Sequence, residues 1–199
     1  MRWIGKNINF NAAMKKLLLI TGVLLLVLVG VLAYTRFFYT KSFSPESDVN
    51  FEADGLKIHI NYSRPYKKGR LIFGEKGQNA LVPYGKVWRT GANEATVFET
   101  SKDLNIKGKA LKAGTYSFWT MPGQQNWTII FNSEYGQWGV DFNGLSNRDP
   151  KNDVLTVEVP SVIQDKEFEQ FTISVEKMGE DMEMILLWDK TLVAIPISK

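Results

Sequence analysis

The 199-residue chain has no cysteine and a single histidine, His59. The first absence excludes disulfide scaffolds, thiol nucleophiles and lipidation on cysteine, and together the two leave few ways to build a metal site, so neither a metal nor a cofactor is expected. Acidic residues are missing from positions 1–40, which hold Arg2, Lys6, Lys15, Lys16 and Arg36. With those five of the 24 basic residues set aside, 19 remain against 21 acidic ones, a net charge of −2 for residues 41–199. The apparent basicity belongs to the N-terminus. A slightly acidic folded part has no electrostatic footprint for a polyanion, so nucleic acid is not an expected partner.

What the N-terminus has instead is one long apolar run, LLLITGVLLLVLVGVLA from Leu17 to Ala33, preceded by Lys15 and Lys16. As a helix it would rise about 25 Å against a hydrocarbon core of about 30 Å. Snorkelling lysines and the aromatics Tyr34, Phe37, Phe38 and Tyr39 can make up the difference at the two interfaces. The preceding positive charges favour a cytoplasmic N-terminus and a translocated C-terminal part. A secretion signal starting at Met14, with Val31 and Ala33 as cleavage determinants, is the alternative. The run exceeds the usual signal core of about 15 residues and bulky Tyr34 would follow the cut, which favours an uncleaved anchor.

The expected organisation is a short basic cytoplasmic segment (1–16), a transmembrane anchor through which the chain holds the membrane (17–34), a tether (35–54) rich in serine, proline and acids, and one domain (55–199) on the periplasmic or extracellular side. From Gly55 onward the pattern has period two: Leu56, Ile58, Ile60 and Tyr62 alternate with Lys57, His59 and Asn61. Similar runs occupy 95–100, 114–121, 126–132, 137–142, 154–159, 170–178, 183–188 and 191–198. Turn chemistry separates them at Lys107-Gly108, at Ala113-Gly114, at Pro122-Gly123 and at Asp189-Lys190. Short strands so closely spaced predict an all-β fold, a two-sheet antiparallel sandwich of jelly-roll or immunoglobulin-like topology preceded by one N-terminal transmembrane helix.

The densest chemistry lies between Tyr62 and Thr96, where five glycines and two prolines break the alternation and Arg64, Arg70 and Arg89 supply half of the six arginines. The segments YSRP (62–65), GRLIFGE (69–75), LVPYGKVWRTGANEAT (81–96) and AGTYSFWTMP (113–122) resemble the hallmark segments of a bacterial family catalogued as domain of unknown function twenty-nine-eleven. The resemblance covers 55–199. It implies an exported, β-rich domain and brings no activity, substrate or catalytic residue with it. Members of that family commonly begin with a cleaved signal, and the long apolar run here departs from that pattern.

On the residues alone, the loops carrying Arg64, Arg70, Trp88, Arg89, Asn93 and Glu94 are the candidate ligand site: arginine forks to hold an anion, Trp88 as an apolar wall, Asn93 to orient a polar group and Glu94 as acceptor. The competing account uses the same residues for internal pairing, because an arginine- and glycine-rich loop needs polar bonds to keep one shape. Arg64, Lys67, Lys68 and Arg70 also gather four cations around one turn. A lone histidine without a serine motif does not suggest nucleophilic catalysis. The expected function is a membrane-anchored extracytoplasmic binding or interaction module that is not an enzyme. The alternatives are a structural subunit of a larger membrane assembly with a protein partner in the envelope, and an envelope polysaccharide or peptide hydrolase. The hydrolase would need two opposed carboxylates, such as Glu75 and Glu94, or His59 within reach of a serine or an acid.

Overall fold

A computed structural model of the protein describes residues 10–199, so the first nine residues of the expected cytoplasmic segment lie outside the described residues. The chain divides into one unit ending at Ser42 and a second from Phe43 to Lys199. In the first, α1 (Phe10–Tyr34) continues through a π-helical turn (Thr35–Tyr39) into α2 (Thr40–Phe43). Leu17 to Ala33 are apolar around the whole circumference and exposed along their length. The hydroxyl of Thr21 is satisfied within the helix by Leu17 O at 2.9 Å. The helix is long and apolar enough to cross a membrane, and equally able to serve as a signal sequence. Pro45 ends it, because the residue before a proline is pushed out of the helical region.

The second unit is built on one nine-stranded antiparallel sheet, ordered β1-β2-β5-β8-β9-β10-β11-β6-β7. Its strands are β1 (Glu46–Ala53), β2 (Leu56–Ser63), β5 (Thr96–Thr100), β6 (Leu104–Ile106), β7 (Lys109–Leu111), β8 (Gly114–Met121), β9 (Asn126–Asn132), β10 (Asp153–Met178) and β11 (Asp181–Ser198). Two short strands, β3 (Phe73–Gly74) and β4 (Val82–Pro83), pair in parallel apart from it. β10 turns the corner: residues 153–160 pair with β9, and from Ser161 on it pairs with β11. The sheet therefore folds back, so that Tyr62 of β2 packs edge-on against Phe171 of β10 and exchanges hydrogen bonds with the backbone of Ile173. The two facing layers expected from the sequence are thus arms of a single sheet.

Three local features differ from the sequence pattern. β1 takes up residues 46–53 of the stretch whose composition suggested a tether; it is an edge strand that commits only Val49 and Phe51 to the core. Residues 137–142 form no strand; Trp138 makes an isolated bridge to Glu94 and Val140 one to Ser146. The 154–159 and 170–178 runs are one strand, and Asp189 is not a turn but a left-handed kink (φ 54°) inside continuous β11.

One core unites the arms. Phe98, Phe118 and Phe131 are fully buried, with the Phe131 ring 5.1 Å from Phe98 and 5.2 Å from Phe118. A second aromatic group, Phe73, Trp88, Trp127, Phe171 and Trp188, fills the space between the folded arms. Phe131→Ala should cost about 3–5 kcal/mol of stability through a cavity that this close packing cannot fill. Denaturant unfolding of the full chain in mild detergent, followed by tryptophan fluorescence, measures it; an unchanged midpoint would contradict a shared core.

Candidate functional site

Arg64 stands at the end of β2, where the chain leaves the sheet. Its Nε donates to Phe171 O at 3.1 Å and its Nη2 to Thr172 Oγ1 at 2.8 Å, which fastens this segment to β10. Arg70 closes its own turn: Nε donates to Lys67 O at 3.0 Å and Nη2 to Tyr66 O. Lys67 is paired with Asp189 at 2.7 Å and Glu167 at 2.8 Å, and its ammonium pKa is raised by those two carboxylates. Of the four cations expected around this turn, three are thus committed to neighbouring chain segments.

The 88–94 loop is held by the core rather than laid over it. Trp88 pairs its backbone with Thr120 in both directions, at 2.7 and 3.0 Å, and its Nε1 donates to Gly91 O at 2.9 Å. The ring stacks on Trp188 at 5.7 Å, so it is core and not the open wall of a site. Thr90 is fully buried with φ 51°, an unfavourable conformation for a β-branched residue. It is held there by Thr120 Oγ1 at 3.1 Å and by Thr96 Oγ1, which donates to Thr90 O at 2.7 Å. Gly91 passes so close to Ser63 that a Cβ would lie 2.9 Å from its carbonyl oxygen. Asn93 is buried and reaches Ser63 Oγ at 3.3 Å and Ser44 O at 3.5 Å.

Arg89 differs from these. Its Nε and Nη1 are shielded from solvent and have no hydrogen-bond partner. Burial pushes its pKa down, while the neighbouring charge of Glu94 pulls it back up. Its methylenes lie against Gly139, where any Cβ would overlap them. Unpaired guanidinium N–H groups at this depth are costly, and they set Arg89 apart from the rest of the six-residue set. Trp88, Arg89, Asn93 and Glu94 are thus together in one loop; Arg64 is adjacent through Ser63, and Arg70 is turned onto its own backbone.

Sequence reasoning read 137–142 as a strand and the residues after it as a plain loop, and placed no functional residue in the 133–149 segment. It runs beside 93–95, with Ala95 N donating to Gln137 O at 3.1 Å and Gly139 N to Asn93 O at 3.0 Å. A hairpin follows, closed by Asp141 N to Leu145 O at 2.8 Å and by Asp141 Oδ1, which accepts from the backbone N–H of Asn143 and Leu145. These backbone donors, Leu145 first, hold the Asp141 carboxyl below its ordinary value. At the tip Phe142 is as exposed as in an unfolded chain, and Leu145 is also exposed. The DFNG stretch announces a turn; that its phenylalanine would face water is not written in the pattern. Farther along, Arg148 pairs with Asp153, which also accepts from Asn132 at 2.8 Å.

His59 lies on the outer face of β2 and meets Asp48 Oδ1 at 2.9 Å, while Asn61 donates to the same oxygen at 3.0 Å. Both bonds, Asn61 first, lower the Asp48 pKa. His59 also lines an open depression with Asn50, Glu52, Lys57, Glu99 and Ser101. The Ser101 hydroxyl is occupied by the Lys57 N–H at 2.8 Å, so His59 has an acid partner there while the serine in the same depression is tied to backbone.

The chain belongs to the family described as protein of unknown function (DUF2911), whose model matches residues 44–197. The matched segment begins just after the apolar helix and includes all eleven strands as far as Ile197. No curated protein and no solved structure matches the chain.

Two outcomes follow from this geometry. Gly139→Ala should cost about 1–3 kcal/mol, because Arg89 must leave its place, and should move the Trp119 and Trp138 fluorescence nearby; an unchanged unfolding midpoint would contradict the contact. The lowered pKa of Asp141 means that the hairpin is supported above the ordinary carboxyl value of 3.8 and loses that support as pH falls through its folded value. Hydrogen exchange of 141–145, corrected for intrinsic rate, should lose protection on acidification below that value, and Asp141→Ala, which removes the acceptor, should lose it at every pH.

Proposed function

We propose that the chain is a single-pass membrane protein, N-terminus in the cytoplasm, that displays its β domain on the periplasmic or extracellular side as a binding or interaction module with no catalytic role. The observation that carries this reading is the apolar helix, exposed along its whole apolar length and ending at Phe43, with only Ser44 and Pro45 before β1. Basic residues alone precede that run, which favours the orientation. Within the domain the proposed ligand contact is Arg89 beside Glu94. The unpartnered N–H groups at Nε and Nη1 leave this guanidinium with donors for an oxygen of a carboxylate or a phosphate. In this reading Trp88 and Asn93 shape that loop, while Arg64 fastens the end of β2 to β10 and Arg70 closes its own turn.

The subunit alternative draws on the exposed Phe142 and Leu145, and the hydrolase alternative on the His59–Asp48 pair. Purification of the full chain in mild detergent separates the former: a stoichiometric protein partner would favour the subunit. A His59→Gln variant that abolished a detected hydrolysis of envelope material would favour the enzyme.

Two measurements test the main reading. A C-terminal reporter that is active only outside the cytoplasm should be active, and the chain should resist carbonate extraction; a cytoplasmic C-terminus would overturn it. Acetate or phosphate should raise the melting temperature of the wild-type chain and leave Arg89→Gln unmoved, provided that variant keeps its native tryptophan fluorescence. Equal shifts in both proteins would remove Arg89 from the site.

A further inference from the structure

The β domain has one end at which the chain enters from the helix, and three independent segments project there. Ser44 O is bonded by Asn93, and Pro45 O accepts from Arg64 N at 2.8 Å, so residues 44–45 are fixed between the end of β2 and the 88–94 loop. β5 departs from Thr96 away from this end. Because 137–139 runs antiparallel to 93–95, it travels toward the end, and the hairpin beyond Gly139 continues past Asn93. On the other side, residues 64–67 prolong the direction of β2 along β10, with Phe171 N donating to Pro65 O at 3.0 Å and Lys67 N to Glu169 O at 2.6 Å. The turn at Lys68-Gly69 therefore projects at the same end.

What these segments present is unusual for a surface of otherwise alternating polar strands. Phe142 is 110% exposed and Leu145 60%, on a hairpin that is internally bonded and so not free to fold its apolar side chains away. Across the end, the Lys68 ammonium lies 5.3 Å from the ring of Phe43 and 5.9 Å from that of Tyr66, and neither Lys68 nor Arg70 is paired with a carboxylate among the described residues. Apolar tips, aromatics and cations whose charge no carboxylate neutralises are the composition of a membrane interface.

The length of the connection decides which occupant fits. The apolar run 17–33 is about 5 Å shorter than a hydrocarbon core, and residues 35–43 add about 14 Å of helix. After the core is completed about 9 Å remains, little more than the depth of one headgroup layer, roughly 5–8 Å. Ser44 then emerges at headgroup level, and no spacer is left to lift the domain from the bilayer. We infer that this end of the β domain is a membrane-docking face, on which the 139–147 hairpin inserts Phe142 and Leu145 into the bilayer that α1 crosses while Lys68 and Arg70 meet lipid phosphates. The inference rests on the anchor reading. Acidic groups at the same end, Asp141, Glu167, Glu169 and Asp189, offset much of the cationic charge, so insertion of the apolar tip leads and the charges assist.

A chain without cysteine allows one label at a chosen place. The full chain, reconstituted in vesicles of phosphatidylcholine and phosphatidylglycerol in equal parts, would carry a fluorophore either at Asn143→Cys on the hairpin or at Glu180→Cys on the turn between β10 and β11 at the opposite end. Lipids brominated on the acyl chain should quench the label at 143 and spare the one at 180. Adding Phe142→Asp and Leu145→Asp should abolish the quenching at 143 while the chain stays in the vesicles. Carbonate washing of the same vesicles separates the two ways to fail: release of the chain overturns the anchor reading. Retention with an unquenched label at 143, or equal quenching at both positions, overturns docking and leaves the tip to a protein partner.

Discussion

The position of Trp88 is the constraint on which the rest of the domain depends. Its backbone is laddered to Thr120 of β8, and its ring is stacked on Trp188 of β11 and set edge-on to Phe171 of β10 and Trp127 of β9. A connection between strands thus supplies the side chain that fills the fold of the sheet. Burying a tryptophan removes a large apolar surface from water, and that gain offsets the conformational cost of ordering the glycine-rich loop around it. The loop is shaped by the core beneath it, which is why it can hold conformations that a free loop would leave.

Those conformations are where polar groups become constrained. Thr90 and Asn93 both have positive φ, and both are buried with their side chains bonded inside the domain. The backbone between them brings Gly91 against Ser63 and, two residues on, Asn93 against Ser44. The same strained turn therefore joins the core, the end of β2 and the place where the chain enters. Arg89 projects from it onto Gly139, which has no side chain to displace it. A guanidinium held this way is fixed in direction, so an anion bound as proposed would leave it little side-chain entropy to lose.

How much of this was readable varies with how local its cause is. The limits of β8 and β9 follow from alternation bounded by glycine and proline, and coincide with the runs at 114–121 and 126–132. β1 was hidden because an edge strand needs only two apolar residues, although Asp54-Gly55, with φ 52° and 73°, is the hairpin signal that announces it. The continuity of β10 and β11 was invisible for the opposite reason. Register shifts between Ile163 and Phe168 and the kink at Asp189 interrupt the alternation without ending the pairing. Of the three arginines concentrated in the candidate loops, only Arg70 has its partners nearby in sequence: Arg64 finds Phe171 and Thr172, and Arg89 lies against Gly139. Local pattern cannot say whether a cation faces a ligand or a carbonyl.

The exposure of Phe142 belongs to the same class of fact. Trp138, Val140 and Phe142 alternate as a strand would, which is why 137–142 looked like one. The pairing stops after Gly139 because the neighbour it follows, 93–95, turns back at Asn93 into the Trp88 loop. Beyond that point the alternating residues have no sheet to cover, so the chain closes on itself through Asp141 and the last of them faces water. The constraint that buries Trp88 is thus also what leaves Phe142 exposed: one loop is drawn into the core, and the segment that would have paired with its continuation projects past the end of the domain.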